Sequence, residues 1–135
     1  MRLTRRYRFS ASHRLDAPSL SVEQNRQLYG KCNNPYGHGH DYVLDVTVEG
    51  PLDATGQVVD RRALDALVAG QVIERLDHKN LNTDVAELAG AVPTTENLAS
   101  AIRQTLANRW TLPAHLKRVR ISETGRNIFE LETGK

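Results

Sequence analysis

The sequence predicts one α+β domain over residues 1–135, with a four-stranded antiparallel sheet and two helices on one face. The first observation is alternation of apolar and polar side chains from Leu3 to Ala11 and from His38 to Glu49, which is typical of half-buried strands. The second is helical spacing of apolar residues in the middle of the chain, followed by two short alternating segments. The predicted order is β-β-α-α-β-β.

The first two strands carry histidines in phase with their apolar positions. His13 continues the phase of Phe9, and both His38 and His40 share a phase with the apolar side chains that follow them. The polar segment 16–29 between the strands is predicted to be a loop or hairpin excursion. A connection of that kind pairs the strands antiparallel, which would bring the three imidazoles together.

Two helices are expected next. Asp60 is a plausible N-cap for a helix from Arg61 to about Leu76. The apolar stripe of that helix consists of Leu64, Leu67, Val68, Val72 and Leu76. The second helix begins after Pro93-Thr94-Thr95, where either threonine can cap and Glu96 suits the positive end.

Two short strands, 117–123 and 127–131, end the fold and are joined by a hairpin loop, Thr124-Gly125-Arg126. Helices on one face leave the other face and both edges of the sheet open. Open edges favour pairing with another chain, so we expect an oligomer in which sheets join edge to edge.

Composition excludes several functional classes. Eighteen basic residues against sixteen acidic ones leave a net charge of only +2, which is no nucleic-acid footprint. No apolar stretch approaches the length of a membrane span, and the first residues do not resemble a signal peptide. The single cysteine cannot form an internal disulfide. We therefore expect a cytoplasmic protein that binds neither nucleic acid nor membrane.

The pattern of histidines predicts a metal site. His13, His38 and His40 would offer three neutral imidazoles, which suit Zn²⁺ and leave a fourth position open for substrate or water. The alternative is that these are ordinary histidines in polar loops, which would be the preferred interpretation for any one of them alone.

Cys32 lies six residues before His38, in a polar segment. A nearby cation and Lys31 would lower the pKa of its thiol, and the thiolate could abstract a proton or attack carbon. The alternative for a lone cysteine is a small buried hydrophobe.

Two further positions are candidates for chemistry. Asp77-His78 places a carboxylate beside an imidazole, as in general acid–base catalysis, although a polar turn after a helix would look the same. Glu123 is in phase with buried strand positions, so its carboxylate could accept adjacent N–H groups of a ligand. The alternative is a glutamate at the rim, in water.

Five motifs together resemble the family of 6-pyruvoyltetrahydropterin synthase and 6-carboxytetrahydropterin synthase. They occur in the family's order over nearly the whole chain, as Phe9-Ser10-Ala11-Ser12-His13-Arg14-Leu15, Lys31-Cys32-Asn33-Asn34-Pro35-Tyr36-Gly37-His38-Gly39-His40, Leu76-Asp77-His78-Lys79-Asn80-Leu81, Pro93-Thr94-Thr95-Glu96-Asn97 and Ser122-Glu123-Thr124.

This resemblance implies a tunnelling fold (T-fold). It implies trimers whose sheets close into a barrel, stacked as hexamers with active sites between subunits. The roles that it implies are zinc ligation by His13, His38 and His40, base catalysis by Cys32 with Asp77 and His78 from a neighbouring subunit, and pterin binding by Glu123 with the backbone of Thr94 and Thr95 and assistance from Glu96.

The resemblance also implies a reaction. The substrate would be 7,8-dihydroneopterin triphosphate, and the product 6-pyruvoyltetrahydropterin after triphosphate elimination. The spacing Cys-x5-His-x-His is similar to the pyruvoyl type, whereas the carboxy-forming enzymes of the queuosine pathway usually show Cys-x3-His-x-His. The carboxy-forming enzyme and a non-enzymatic zinc- or pterin-binding module are the alternatives.

Overall fold

The computed structural model describes residues 1–133 as a layer of helices packed on one mixed sheet. The elements in chain order are β1 (Arg2–His13), α1 (Val22–Tyr29), β2 (His38–Glu49), α2 (Arg61–Val68), α3 (Glu74–Leu76), β3 (Lys79–Asn80), α4 (Thr95–Arg109), β4 (His115–Ser122) and β5 (Ile128–Glu132). None of the described helices is long and apolar enough to cross a membrane.

The sheet has the strand order β3-β1-β2-β4-β5. β1, β2, β4 and β5 pair antiparallel, as the predicted four-stranded antiparallel sheet requires. The predicted four-stranded, purely antiparallel sheet is wrong in one respect, because Lys79–Asn80 adds a short strand parallel to Ala11 and Ser12. Two residues are too few to show a period of two, so the pattern of the sequence carries no signal for this strand.

The predicted helices form where their spacing indicates. Asp60 caps α2, and its carboxylate accepts from the backbone N–H of Arg62 at 2.9 Å. A π-helical turn, Ala69–Ile73, links α2 to α3, so the helical stretch still ends at Leu76. Thr94 caps α4 and accepts from the N–H of Asn97 at 3.2 Å.

The segment 16–29 is not only a loop. It contains α1, which begins with a capping box in which Ser21 and Gln24 exchange side-chain and backbone hydrogen bonds. Asn25 is buried and binds the backbone of Ala17, which closes the segment on itself. Asn25 is the one buried residue of this helix, so the helix has no buried apolar stripe for periodicity to reveal.

The core lies between the helices and the apolar face of the sheet. Its fully buried side chains include Leu44, Val46, Val48, Leu64, Val68, Leu106, Val119 and Ile121. The other face carries polar rows, among them Arg6 paired with Asp45 at 2.8 Å and Thr4 with Thr47 at 2.7 Å. β3 covers only two residues of β1, and β5 forms the opposite edge.

Burial at the centre of β2 predicts a large difference between two leucine-to-alanine substitutions. Leu44 is 0% exposed and Leu52 is 52% exposed. Leu44→Ala should lower the free energy of unfolding by about 2–5 kcal/mol through lost transfer energy and a residual cavity. Leu52→Ala is the matched control and should change it by less than about 1 kcal/mol. Urea unfolding of both variants measures this, and equal losses would contradict the described core.

Candidate metal and catalytic site

The pairing of β1 with β2 brings three histidines to one end of the sheet. His13 lies opposite His38, and Ala11 lies opposite His40. The ring centroids of His13 and His40 are 4.8 Å apart, and those of His38 and His40 are 4.6 Å apart. The antiparallel pairing expected from the sequence therefore places the three imidazoles at the same end of the sheet.

Four side chains converge at this point. The ligand atoms of His13, Cys32, His40 and Glu123 all lie within 4.8 Å of one another, close enough for one metal ion to contact several of them. His38 is not in this group, although its ring packs edge-on against that of His40. Two of the three predicted histidine ligands, His13 and His40, therefore lie beside the predicted base Cys32 and the predicted pterin-binding carboxylate of Glu123. Metal ligation by His38 stays a prediction.

His13 is prepared for metal binding by its surroundings. Its Nδ1 lies 2.9 Å from the carbonyl oxygen of Pro93, which can only accept, so Nδ1 carries the proton and Nε2 holds a lone pair. That Nε2 is buried and, within residues 1–133, has no hydrogen-bond partner. Burial also lowers the pKa of His13, which favours the neutral ring. A buried neutral imidazole with an unpartnered nitrogen fits a metal ligand.

His40 is at the centre of the cluster. Its Nε2 is 3.1 Å from Oε1 of Glu123 and 3.6 Å from Sγ of Cys32. Burial lowers the pKa of His40 as well, so this ring too favours its neutral, metal-binding form.

Cys32 lies in the 3₁₀ turn Gly30–Asn33, just before the histidine strand. Its backbone carbonyl accepts from the N–H of Leu15 at 2.7 Å, and Asn33 donates to the carbonyl of Leu15 at 2.7 Å, so the turn is tied to the end of β1. Burial, with a smaller contribution from Glu123, raises the pKa of the thiol. The lowering expected from Lys31 is not found here, because burial and the neighbouring carboxylate of Glu123 both act to raise the pKa of this thiol.

Glu123 points inward, as its strand phase predicts, and its side chain is 15% exposed. Oε1 faces His40, while Oε2 accepts from the hydroxyl of Thr95 at 2.7 Å. Thr95 is buried in the first turn of α4, whereas Glu96 is exposed there. The carboxylate is thus held by α4 on one side and by a predicted metal ligand on the other.

Asp77 and His78 lie at the β1 edge and are not part of the four-residue cluster. Asp77 accepts from the N–H of Ser10 at 2.9 Å, and the N–H of His78 donates to the carbonyl of Ser10 at 2.6 Å. His78 has a left-handed φ of 60°, which is uncommon for a residue other than glycine. Its side chain is 82% exposed, with Nε2 3.5 Å from Asp77. The backbone of Ser10 therefore holds both residues in place, and the side chain of His78 faces outward.

Comparison with known proteins agrees with this geometry. The family model described as 6-pyruvoyl tetrahydropterin synthase matches residues 2–134. The chain belongs to this family. It is 46% identical to the Drosophila melanogaster 6-pyruvoyl tetrahydrobiopterin synthase over 94% of the chain and 76% of that protein. It is 47% identical to the human enzyme of that name, over 93% and 87%.

The fold of the family is shared as well. The structure of Caenorhabditis elegans 6-pyruvoyl tetrahydropterin synthase matches with a TM-score of 0.91 and 38% identity, covering 99% of this chain and 96% of that one. The chain therefore has the T-fold of the 6-pyruvoyl tetrahydropterin synthase family.

Reasoning from sequence missed three contributors to the geometry of this candidate site. The carbonyl of Pro93 orients His13, the backbone of Ser10 holds Asp77 and His78, and the buried Tyr42 places its hydroxyl 3.4 Å from Nδ1 of His13. Two of them act through backbone atoms, for which side-chain identity carries no signal. Tyr42 is in phase with His40, which could have identified it.

Gly37 predicts a further requirement of the site. Its φ is +80°, and a Cβ there would lie 2.7 Å from the carbonyl oxygen of His13. Gly37→Ala should therefore displace the end of β1 and reduce zinc affinity, in addition to a backbone cost of about 1–2 kcal/mol. Gly56 also has a φ of +80° but no described atom within 4 Å of its Cβ position.

Gly56→Ala is therefore the matched control, because it has the same backbone strain without the clash. Zinc titration of both variants with a competing chelator measures the difference. Wild-type zinc affinity in Gly37→Ala would show that the close approach to His13 does not position the ligand.

Proposed function

We propose that this chain is a zinc-dependent lyase that converts 7,8-dihydroneopterin triphosphate into 6-pyruvoyltetrahydropterin with elimination of triphosphate. The observation that carries the proposal is the convergence of His13, Cys32, His40 and Glu123, which puts metal-binding nitrogens, a thiol and a carboxylate within 4.8 Å. Relatives at 46–47% identity that bear the name of this enzyme support it.

The proposed ligands of zinc are His13, His38 and His40. His13 and His40 favour their neutral form, and the buried Nε2 of His13 has no hydrogen-bond partner in the described part of the chain. His38 is adjacent, with its ring against that of His40. Zinc, when bound, would polarise the side-chain hydroxyls of the substrate and acidify the neighbouring C–H bonds. Other divalent ions also bind such a set, so the choice of zinc belongs to the proposal.

Cys32 is the proposed base that moves protons between the side-chain carbons of the substrate. Burial keeps the thiol protonated in the metal-free chain, so a usable thiolate requires a nearby cation. Glu123 is proposed to bind the N–H groups of the pterin ring, together with the backbone of Thr94 and Thr95. Glu96 at the exposed start of α4 is proposed to assist in this binding.

Asp77 and His78 are proposed to exchange protons with the substrate hydroxyls in a neighbouring subunit. Their outward presentation at the β1 edge is what this arrangement needs. The edges of β1 and β5 would pair between subunits into a barrel, and two trimers would stack as a hexamer. The cytoplasm remains the predicted location, because a single cysteine suits a reducing compartment.

Product identification tests the reaction itself. Incubation of the zinc-loaded protein with dihydroneopterin triphosphate should release triphosphate and form 6-pyruvoyltetrahydropterin. Acetaldehyde with a carboxypterin would indicate the carboxy-forming enzyme instead. Bound pterin without turnover would indicate the non-enzymatic module.

The proposed roles of Cys32 as base and His38 as ligand predict different zinc contents for two variants. Cys32→Ala should retain zinc and lose turnover by at least about a hundredfold, as expected for a missing general base. His38→Ala should lose most of its zinc, because two imidazoles make an incomplete site. Metal analysis and rate measurements on both variants check this, and full zinc occupancy in His38→Ala would remove His38 from the ligand set.

If Cys32 and His78 of one active site come from different subunits, two inactive variants should complement each other in mixed oligomers. Cys32→Ala and His78→Ala should each be inactive alone, and subunit exchange between them should restore activity. Random mixing at equal amounts gives about a quarter of the sites a wild-type Cys32 and a wild-type neighbouring His78. Mixing Cys32→Ala with Cys32→Ser is the control and should restore nothing. Absence of recovery after verified exchange would locate both residues in one subunit's site.

A further inference from the structure

Apolar packing does not hold the segment that carries Cys32. None of residues 16–33 is part of the hydrophobic core or of the partly buried apolar side chains around it. Val22 and Leu28 of α1 are 72% and 63% exposed. Among the described elements, α1 packs mainly on the 3₁₀ turn Gly30–Asn33 that contains Cys32. Hydrogen bonds must therefore decide where this turn lies, since burial of apolar surface contributes little here.

A buried amide joins α1 to the loop before it. Asn25 is 2% exposed and is the one buried residue between positions 16 and 33. Its Oδ1 accepts from the N–H of Ala17 at 2.7 Å, and its Nδ2 faces the carbonyl oxygens of Ala17 at 3.1 Å, Ser21 at 3.1 Å and Leu20 at 3.3 Å. Burial of an amide is costly unless it is hydrogen-bonded, and both polar atoms of this side chain have partners. Such a fully bonded buried group favours one conformation of its surroundings, so it fixes α1 against the loop.

The turn that contains Cys32 follows α1 directly and is joined at its other end to β1. The N–H of Gly30, the C-cap of α1, donates to a carbonyl in the last turn of that helix. The carbonyl of Cys32 accepts from the N–H of Leu15, and Asn33 donates to the carbonyl of Leu15, both at 2.7 Å. The thiol is therefore held between α1 and the end of β1, with Sγ 3.6 Å from Nε2 of His40.

We propose that Asn25 is a positioning residue for Cys32, on which it acts through α1 and the turn that follows. The inference rests on the proposed function for the role of Cys32 as base. His13 and His40 lie on β1 and β2, which are paired with each other and packed against the core, so their positions do not depend on Asn25. Loss of this amide should therefore displace the thiol and leave these candidate metal ligands in place.

Two variants separate the hydrogen bonds of Asn25 from its volume. Asn25→Ala removes the side chain, whereas Asn25→Asp keeps its shape and replaces the donor Nδ2 by an oxygen that faces three carbonyl oxygens. Gln27→Ala removes an exposed amide from the same helix and is the matched control. The full chain of each variant is loaded with zinc, and its kcat and KM for dihydroneopterin triphosphate are compared with those of the wild type.

Both Asn25 variants should lower kcat by about ten- to a hundredfold, because displacement of the base by about an ångström is enough for such a loss. KM should change by less than about twofold, since the proposed contacts of the substrate with zinc and Glu123 remain. Zinc affinity should equal that of the wild type, and Gln27→Ala should match the wild type in every measurement. Wild-type kcat in either Asn25 variant, or a parallel fall in zinc affinity, overturns the proposal.

Thiol alkylation reports the position of Cys32 without turnover. Cys32 is the only cysteine of the chain, so the rate of reaction with iodoacetamide measures its exposure directly. The half-buried thiol of the wild type should react at least about fivefold more slowly than the thiol of both Asn25 variants. Equal rates in the wild type and the Asn25 variants overturn the proposal.

Hydrogen exchange tests the same point in the wild-type chain and does not require the Asn25 variants to fold. The amides in the last turn of α1 should exchange at least about tenfold more slowly than those of an unstructured peptide. Exchange at the rate of an unstructured peptide would show that α1 cannot hold the turn, and it overturns the proposal.

Failure of this inference is distinguishable from failure of the proposed function. If the chain forms 6-pyruvoyltetrahydropterin and the Asn25 variants keep wild-type kcat, the reaction stands and the positioning role is wrong. If no product appears, the proposed function is wrong, and the alkylation rates alone decide whether Asn25 fixes the thiol.

Discussion

The register between β1 and β2 is the constraint on which the site depends. Twelve consecutive residue pairs run from Arg2 opposite Glu49 to His13 opposite His38. A slip by one residue would move every side chain to the other face, so the buried Leu44 and the clustered His40 are specified by the same hydrogen-bond ladder. Core packing along the middle of β2 thus fixes the chemistry at its start. One strand can therefore contribute both to the stability of the core and to the candidate metal site.

Burial favours the uncharged form of each titratable side chain of this cluster whose pKa it shifts. It lowers the pKa of His13 and His40 and raises that of Cys32, so all three are neutral in the metal-free chain. Neutral imidazoles are ready to bind a cation, but a neutral thiol is not yet a base. The same desolvation therefore suits the imidazoles to bind a cation and keeps the thiol protonated, so the proposed role of Cys32 as a base would need a nearby cation.

The elements that could be predicted are those with many residues in phase. β2 and the helical stretch from Arg61 to Leu76 follow their predicted bounds because a dozen or more side chains repeat one period. β3 and α1 were missed, since the first has two residues and the second depends on a capping box and a buried Asn25. Tertiary contacts, not local pattern, decide such segments.

The candidate site also has features that the sequence predicts and features that it does not. Which side chains converge could be predicted from strand phase, as His13 and His40 demonstrate. What orients them could not, because the carbonyl of Pro93 and the backbone of Ser10 belong to distant segments and act without side chains. The left-handed His78 follows from this, since its N–H reaches Ser10 while its ring turns outward. The end of β1 thus carries the inward-facing His13, and Ser10, three residues earlier, holds the outward-facing Asp77 and His78. This is the geometry that the proposed site shared between subunits requires.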